Sequence, residues 1–376
     1  MQAIHGLRRS VRLIGCLAAV AVLGSALFAT VANAEKTPLK PTAYIALGDS
    51  LSFGYKAKTY NENKTANATH CEADVTAAEK GETALAHTEG ALCEPAASFE
   101  PGFVGEFGKK LAKTEKGAGN ELKTVDLGCP GETSSGLIGH LYGEATAEYD
   151  PCLYTNLEGF PLKTEIGTSS ELEAAASLIS SKADGEVTAV SLQIGSNDEL
   201  AVLGKCESNT YLGEKGFKSI LECAAHEVGT EGYAYSGGLF KHILTNIGVA
   251  IGVLRGAGYK GTILLIGFYN PYATLLAGTD ALVKVLNEHL EAEVSTEAYG
   301  AGVKIAQPFP KINPEAPVFK EGESEKETAA LQKKEAGKIC KYTEMCEGGK
   351  SALPGGDIHP TAKGYKEIAK LMEEAF

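Results

Sequence analysis

The sequence predicts an α/β fold: a five-stranded parallel sheet with helices on both faces. Three observations carry this. Five short runs are rich in apolar residues, segments with apolar residues at three- and four-residue steps alternate with them, and small polar clusters follow the first three runs. Alternating strand and helix implies right-handed crossovers and a parallel, doubly covered sheet.

The elements follow in order. "AYIALG" (43–48) is the first strand and "FVGEFGKKLAK" (103–113) the first long helix. "KTVDLG" (123–128) and "SELEAAASLISSK" (170–182) form the next pair, then "VTAVSLQIG" (187–195) and "LFKHILTNIGVAIGVLRGAG" (239–258). "TILLIGF" (262–268), "DALVKVLNEHLEAEVSTEA" (280–298) and "VKIAQPF" (303–309) complete the sheet, and "TAKGYKEIAKLMEEAF" (361–376) closes the chain as a helix. The helical segments are recognised by periodicity. In such sheets the functional crevice lies at the carboxyl ends of the strands.

The N-terminus carries Arg8, Arg9 and Arg12, then an uncharged stretch from Leu13 to Ala29, then Ala32-Asn33-Ala34 before Glu35. A basic head, an apolar middle and a small-residue exit read as a secretory signal peptide over 1–34, cut after Ala34. The apolar run is long enough to leave an uncleaved anchor as the alternative. No later segment is expected to span a bilayer, so 35–376 is expected as one secreted, monomeric domain. Tyr60 to Ser98 is a polar excursion, either a lid or an inert surface loop, with glycosylation sequons at Asn63 and Asn67.

The chain has a net charge of −13, and removing the first 34 residues removes three arginines and no acids. Arg255 is then the only arginine. Phosphate-backbone binding needs clustered Lys and Arg, so nucleic acid is excluded as a partner. Of nine cysteines, Cys16 leaves with the signal and eight remain. An even count in an exported chain argues for disulfides, and spacing suggests that neighbours pair: Cys71 with Cys93, Cys129 with Cys152, Cys206 with Cys223, Cys340 with Cys346. No C-x-x-C pair occurs, which argues against zinc, and no metal or cofactor is expected.

Four small polar clusters fall where the sheet model puts one edge: Gly48-Asp49-Ser50-Leu51, "GCPGETS" (128–134), Gly195-Ser196-Asn197-Asp198 and "GGDIHPTAKGY" (355–365). Each has a job in acyl transfer through serine. Ser50, at a sharp turn into a helix, is the candidate nucleophile and His359 the candidate base. The tetrahedral intermediate needs preorganised donors, for which Gly131, Asn197 and the Ser50 N–H are the candidates. Asp49 is expected to shape its turn, Asp198 to hydrogen-bond within the site, and the other histidines to serve surface or packing roles.

In these four blocks the chain resembles the GDSL, or SGNH, hydrolases, with Ser50, Gly131, Asn197 and His359 in the family's four positions. The likeness, strongest to secreted actinobacterial-type esterases and lipases, runs from Ala43 to the C-terminus. It implies a flavodoxin-like α/β/α fold and cleavage of small-molecule or lipid esters. An acyltransferase using the same site and a non-catalytic surface-binding relative are the alternatives. One position departs from the family pattern. The acid expected three residues before the histidine is replaced by Gly356, and Asp357 stands two before. Either Asp357 orients the imidazole or a backbone carbonyl near Gly356 does.

Overall fold

The computed structural model describes residues 39–59, 99, 101–139, 170–208, 212–213, 216, 218–229, 238–276, 278–313, 325–346 and 356–376. The signal-peptide segment, the 60–98 excursion with its sequons, Cys71, Cys93 and Cys152 lie outside the described residues.

Strands β1 (Lys40–Gly48), β2 (Asn120–Asp126), β3 (Val187–Gln193), β4 (Thr262–Ile266) and β5 (Val303–Ala306) form one sheet in the order β2-β1-β3-β4-β5. Registers such as Ile45↔Val190, Val190↔Ile263 and Ile263↔Val303 run parallel. The chain winds outward to β2 on one side of β1 and to β3 on the other. Strand order therefore reverses between β1 and β3, and the crevice of this topology opens at their carboxyl ends.

Two clusters cover the sheet. Ile45, Leu47, Val190, Leu192, Ile263 and Leu265 pack with helices α4 (Glu171–Ser180), α7 (Gly238–Gly256) and α8 (Thr279–Ser295). Tyr44, Ala46, Ala189, Leu264 and Ile266 face the other way, against α2 (Gly102–Gly117) and the last helix, α11 (Ala362–Ala375). Side chains alternate faces along a strand, so a strand covered on both sides reads as an unbroken apolar run. This is why β1, β3 and β4 are so plain in the sequence. β2 begins at Asn120, before the expected run, because half of it is exposed at the sheet edge and carries Glu121 and Lys123.

Five further helices complete the site-bearing rim and the far face. They are α1 (Ser50–Phe53), α3 (Ser134–Gly139), α5 (Ser196–Glu207), α6 (Ile220–Val228) and α9 (Phe309–Ile312). A long polar helix, α10 (Glu325–Tyr342), has no strong periodic signal; Glu335, Ile339 and Tyr342 are its buried stripe. Cys206–Cys223 and Cys340–Cys346 are closed disulfides, and Cys129 is disulfide-bonded as well. Among the described residues no helix is long and apolar enough to cross a membrane.

Candidate active site

The first cluster begins where β1 ends. Gly48 has φ +135°, and a Cβ there would stand 1.9 Å from the Gln193 carbonyl oxygen at the tip of β3. Only glycine fits so close a crossing with positive φ. Asp49 follows as the N-cap of α1, its carboxylate accepting from the Leu51 N–H (2.8 Å). Ser50 is thereby the first helical residue, and its own N–H has no acceptor inside the helix.

His359 arrives from the far end of the chain. Its Nε2 lies 2.8 Å from Ser50 Oγ, and its Nδ1 lies 2.6 Å from Asp357 Oδ1. A carboxylate only accepts, so Nδ1 carries the proton and Nε2 offers its lone pair to the serine hydroxyl. Asp357 also takes the N–H of His359 (3.1 Å) and of Ala57 (2.7 Å). Burial alone would raise the Asp357 carboxyl; the hydrogen bond and charge of His359, with these N–H groups, outweigh it and hold it below the ordinary aspartate value.

The departure at Gly356 has a steric cause. A Cβ on residue 356 would stand 2.4 Å from the Met345 carbonyl oxygen. The segment 342–346, closed by Cys340–Cys346, crosses directly over this position. It also grips the histidine loop, with Glu344 N–H on the His359 carbonyl (2.9 Å) and Thr361 N–H on that of Tyr342 (2.9 Å). An acid cannot stand at 356, and Asp357 contacts the imidazole from the next position.

Gly131 sits in a turn in which the Glu132 N–H donates to the Cys129 carbonyl (3.2 Å). Pro130 at the second position and Gly131 with φ +89° at the third are the residues a type II turn demands. The Cys129 N–H bonds the Gly48 carbonyl (2.7 Å), which seats this loop against the end of β1. Asn197 reaches it from α5, one Nδ2 hydrogen going to the Glu132 carbonyl (2.8 Å). Asp198 clamps the same loop by accepting from Ser134 N–H (2.8 Å) and Oγ–H (2.6 Å). Three strand ends and the histidine loop thus meet around Ser50.

Two tyrosines were not anticipated. The Tyr55 ring packs on the imidazole at 4.7 Å between centroids, and the Tyr269 hydroxyl donates to the Ile358 carbonyl (2.7 Å). Tyr55 stands five residues past Ser50 and Tyr269 just past β4, so position relative to a strand tip was the only signal available.

Below the serine lies a ring of buried acids. Asp49, Glu171 and Asp198 are all nearly inaccessible. Desolvation pushes Asp49 up to about 7 and Asp198 to about 6, and burial with neighbouring Glu132 raises Glu171 well above the usual range. Gln193 supports Asp49: with its amide nitrogen donating to the carboxylate (2.5 Å), its oxygen accepts from Ser196 Oγ (3.0 Å).

Beside Ser50 an apolar pocket opens between α5, α6, α7 and α8, with roughly 800 Å³ of free space counting its mouth. Leu200, Leu203, Val228, Phe240, Leu282 and Val283 form much of its wall. The Cys206–Cys223 disulfide ties α5 to α6, and Lys205 pairs with the buried Glu227 across the same helices (2.9 Å).

No family model matches the chain, and no curated protein matches it in sequence. Solved structures align over most of its length. The lipase Lip_vut3 from a goat rumen metagenome is 16% identical over 89% of this chain and 96% of that one, with a TM-score of 0.41. Axe2, an acetylxylan esterase from Geobacillus stearothermophilus, is 12% identical over 90% and 95%, with a TM-score of 0.41. AlinE4, an SGNH-hydrolase family esterase, is 13% identical over 89% and 94%, with a TM-score of 0.30. Likeness at this level assigns no activity to this chain.

Proposed function

We propose that the protein is a serine hydrolase of carboxylic esters, working through an acyl-enzyme. The observation that carries this reading is the unbroken hydrogen-bonded chain from Ser50 through His359 to Asp357 at 2.8 and 2.6 Å. Ser50 Oγ attacks the ester carbonyl carbon while His359 Nε2 takes its proton. The new imidazolium is stabilised by Asp357, which stays ionised throughout. The carbonyl oxygen, now an anion, is received by the Ser50 and Gly131 N–H groups and the second Nδ2 hydrogen of Asn197. Collapse expels the alcohol, which takes the proton back from Nε2. Water, activated by the same nitrogen, then releases the acid and restores Ser50.

The apolar pocket beside the serine supports an ester with a substantial apolar part. Export is part of the proposal, supported by the basic-apolar-small N-terminus and the closed disulfides, and N-terminal sequencing of exported protein should begin at Glu35. The deciding experiment is hydrolysis of p-nitrophenyl esters by wild type and Ser50→Ala. Loss of at least about 10³-fold in turnover, with unchanged circular dichroism, is expected. Undiminished turnover in the alanine variant would overturn the reading.

A further inference from the structure

The pocket beside Ser50 is lined mostly by apolar side chains, with one carboxyl that the catalytic cycle does not use. Glu199, on α5 two residues past Asn197, lines it among leucines, valines and Phe240. We propose that Glu199 is a specificity-determining residue, selecting esters whose pocket-bound part, otherwise apolar, carries one hydroxyl or carbonyl group. The proposal rests on the serine-esterase reading of the site.

Most of the other polar side chains on this wall have partners, though the Tyr272 hydroxyl has none among the described residues. Asn270 donates to Thr279 (2.8 Å) and Asp280 (2.7 Å), and Thr279 donates to the Leu276 carbonyl (2.7 Å). Asn197 holds the Glu132 carbonyl and Ser196 the Gln193 amide. Glu199 has no hydrogen-bond or ion-pair partner among the described residues, and no Lys, Arg or His stands among the described residues lining the pocket. Glu199 is only half-buried; an apolar ligand filling the pocket would strip water from its carboxyl, a cost relieved when the ligand itself supplies a partner.

The state of the carboxyl suits that role. Desolvation, with the charge of Asp198 behind it, pushes Glu199 up to about 8. The other titratable groups lining the pocket are Tyr269 and Tyr272, from the loop after β4, both raised by burial and so uncharged near neutrality. Near neutrality this shift of Glu199 favours the carboxylic acid, with one O–H to donate and oxygens left to accept. It can pair with a hydroxyl or a carbonyl without bringing a full charge into the apolar site.

The test compares kcat/KM for plain and singly hydroxylated substrates on each side of the ester. p-Nitrophenyl octanoate is set against its hydroxyoctanoates, and octyl acetate against hydroxyoctyl acetates, using purified protein from residue 35 onward. Wild type should favour at least one hydroxylated member about 10-fold or more over its plain counterpart. Glu199→Gln should keep that preference, whereas Glu199→Leu should lose it. Equal ratios in wild type and Glu199→Leu for every pair overturn the proposal. If plain esters are still hydrolysed and Ser50→Ala abolishes this, the esterase reading survives that failure; no turnover of any ester by wild type sinks both.

Discussion

Carboxyl groups serve this site in two opposite states, and their surroundings decide which. At the rim, Asp357 faces an imidazole able to carry positive charge, along with two N–H groups, and its carboxyl is held below the ordinary value. In the floor, Asp49 and Asp198 meet only N–H, hydroxyl and amide groups under heavy burial, and their carboxyls are pushed up to about 7 and about 6. Glu171 accepts from the Gly48 N–H (3.0 Å) but leaves its other oxygen without a partner among the described residues. On the proposed mechanism the rim acid stays charged during turnover. The floor acids are built to hold backbone in place, and charge is a burden to them.

That contrast breaks most visibly under isosteric amide substitution. Asp357→Asn keeps the shape but removes the acceptor that fixes the Nδ1–H tautomer, so kcat should fall on the order of 10³- to 10⁴-fold. Asp49→Asn preserves an oxygen for the Leu51 N–H and should change kcat less than about 5-fold. Steady-state kinetics on one p-nitrophenyl ester reads both. Similar losses in the two variants would erase the distinction between rim and floor.

A smaller effect is expected where the rim is held rather than where it reacts. Gly356→Ala puts a methyl group 2.4 Å from the Met345 carbonyl oxygen, and backbone cannot retreat cheaply. Stability should drop by about 1–3 kcal/mol and kcat by roughly 10- to 100-fold. Urea unfolding and kinetics together check this. Opening the neighbouring clamp with Cys340→Ser and Cys346→Ser should act in the same direction but more weakly, about 2 kcal/mol or less for so short a loop.

Much of this site could be read from the chain because its chemistry sits at strand tips. β1, β3 and β4 are buried on both faces, so their ends are sharply marked, and the ends of β1 and β3 lie next to small polar clusters. The edge strand β2 is blurred by Glu121 and Lys123, which are exposed. α10 is missed because its described part buries little beyond Glu335, Ile339 and Tyr342, a stripe too sparse to register as a period. The choice between Asp357 and a backbone carbonyl could not be made from sequence at all. It depends on Met345 crossing over Gly356 and on Ala57 reaching Asp357 from 300 residues away, neither of which leaves a local pattern.

The least dramatic consequence of the two acid environments is a tilt in stability with pH. Groups whose folded pKa is raised bind more protons folded than unfolded between the two values, so folding loses stability as pH rises through that window. For Asp49 and Asp198 the window opens near pH 4, the ordinary aspartate value, and closes at about 7 and about 6. Glu335, raised by burial and by Asp280 beside it to about 8, extends it upward. Asp357 has the reverse sign: its contribution is present above the ordinary aspartate value and is lost as pH falls below it. The melting temperature should therefore peak near pH 4 and decline toward pH 8, with each floor acid costing about 1.4 kcal/mol per pH unit inside its window. Asp49→Asn should flatten the melting profile between about pH 4 and 7 while leaving the activity profile in place. A profile as steep as that of wild type would show that Asp49 does not carry its share of the tilt.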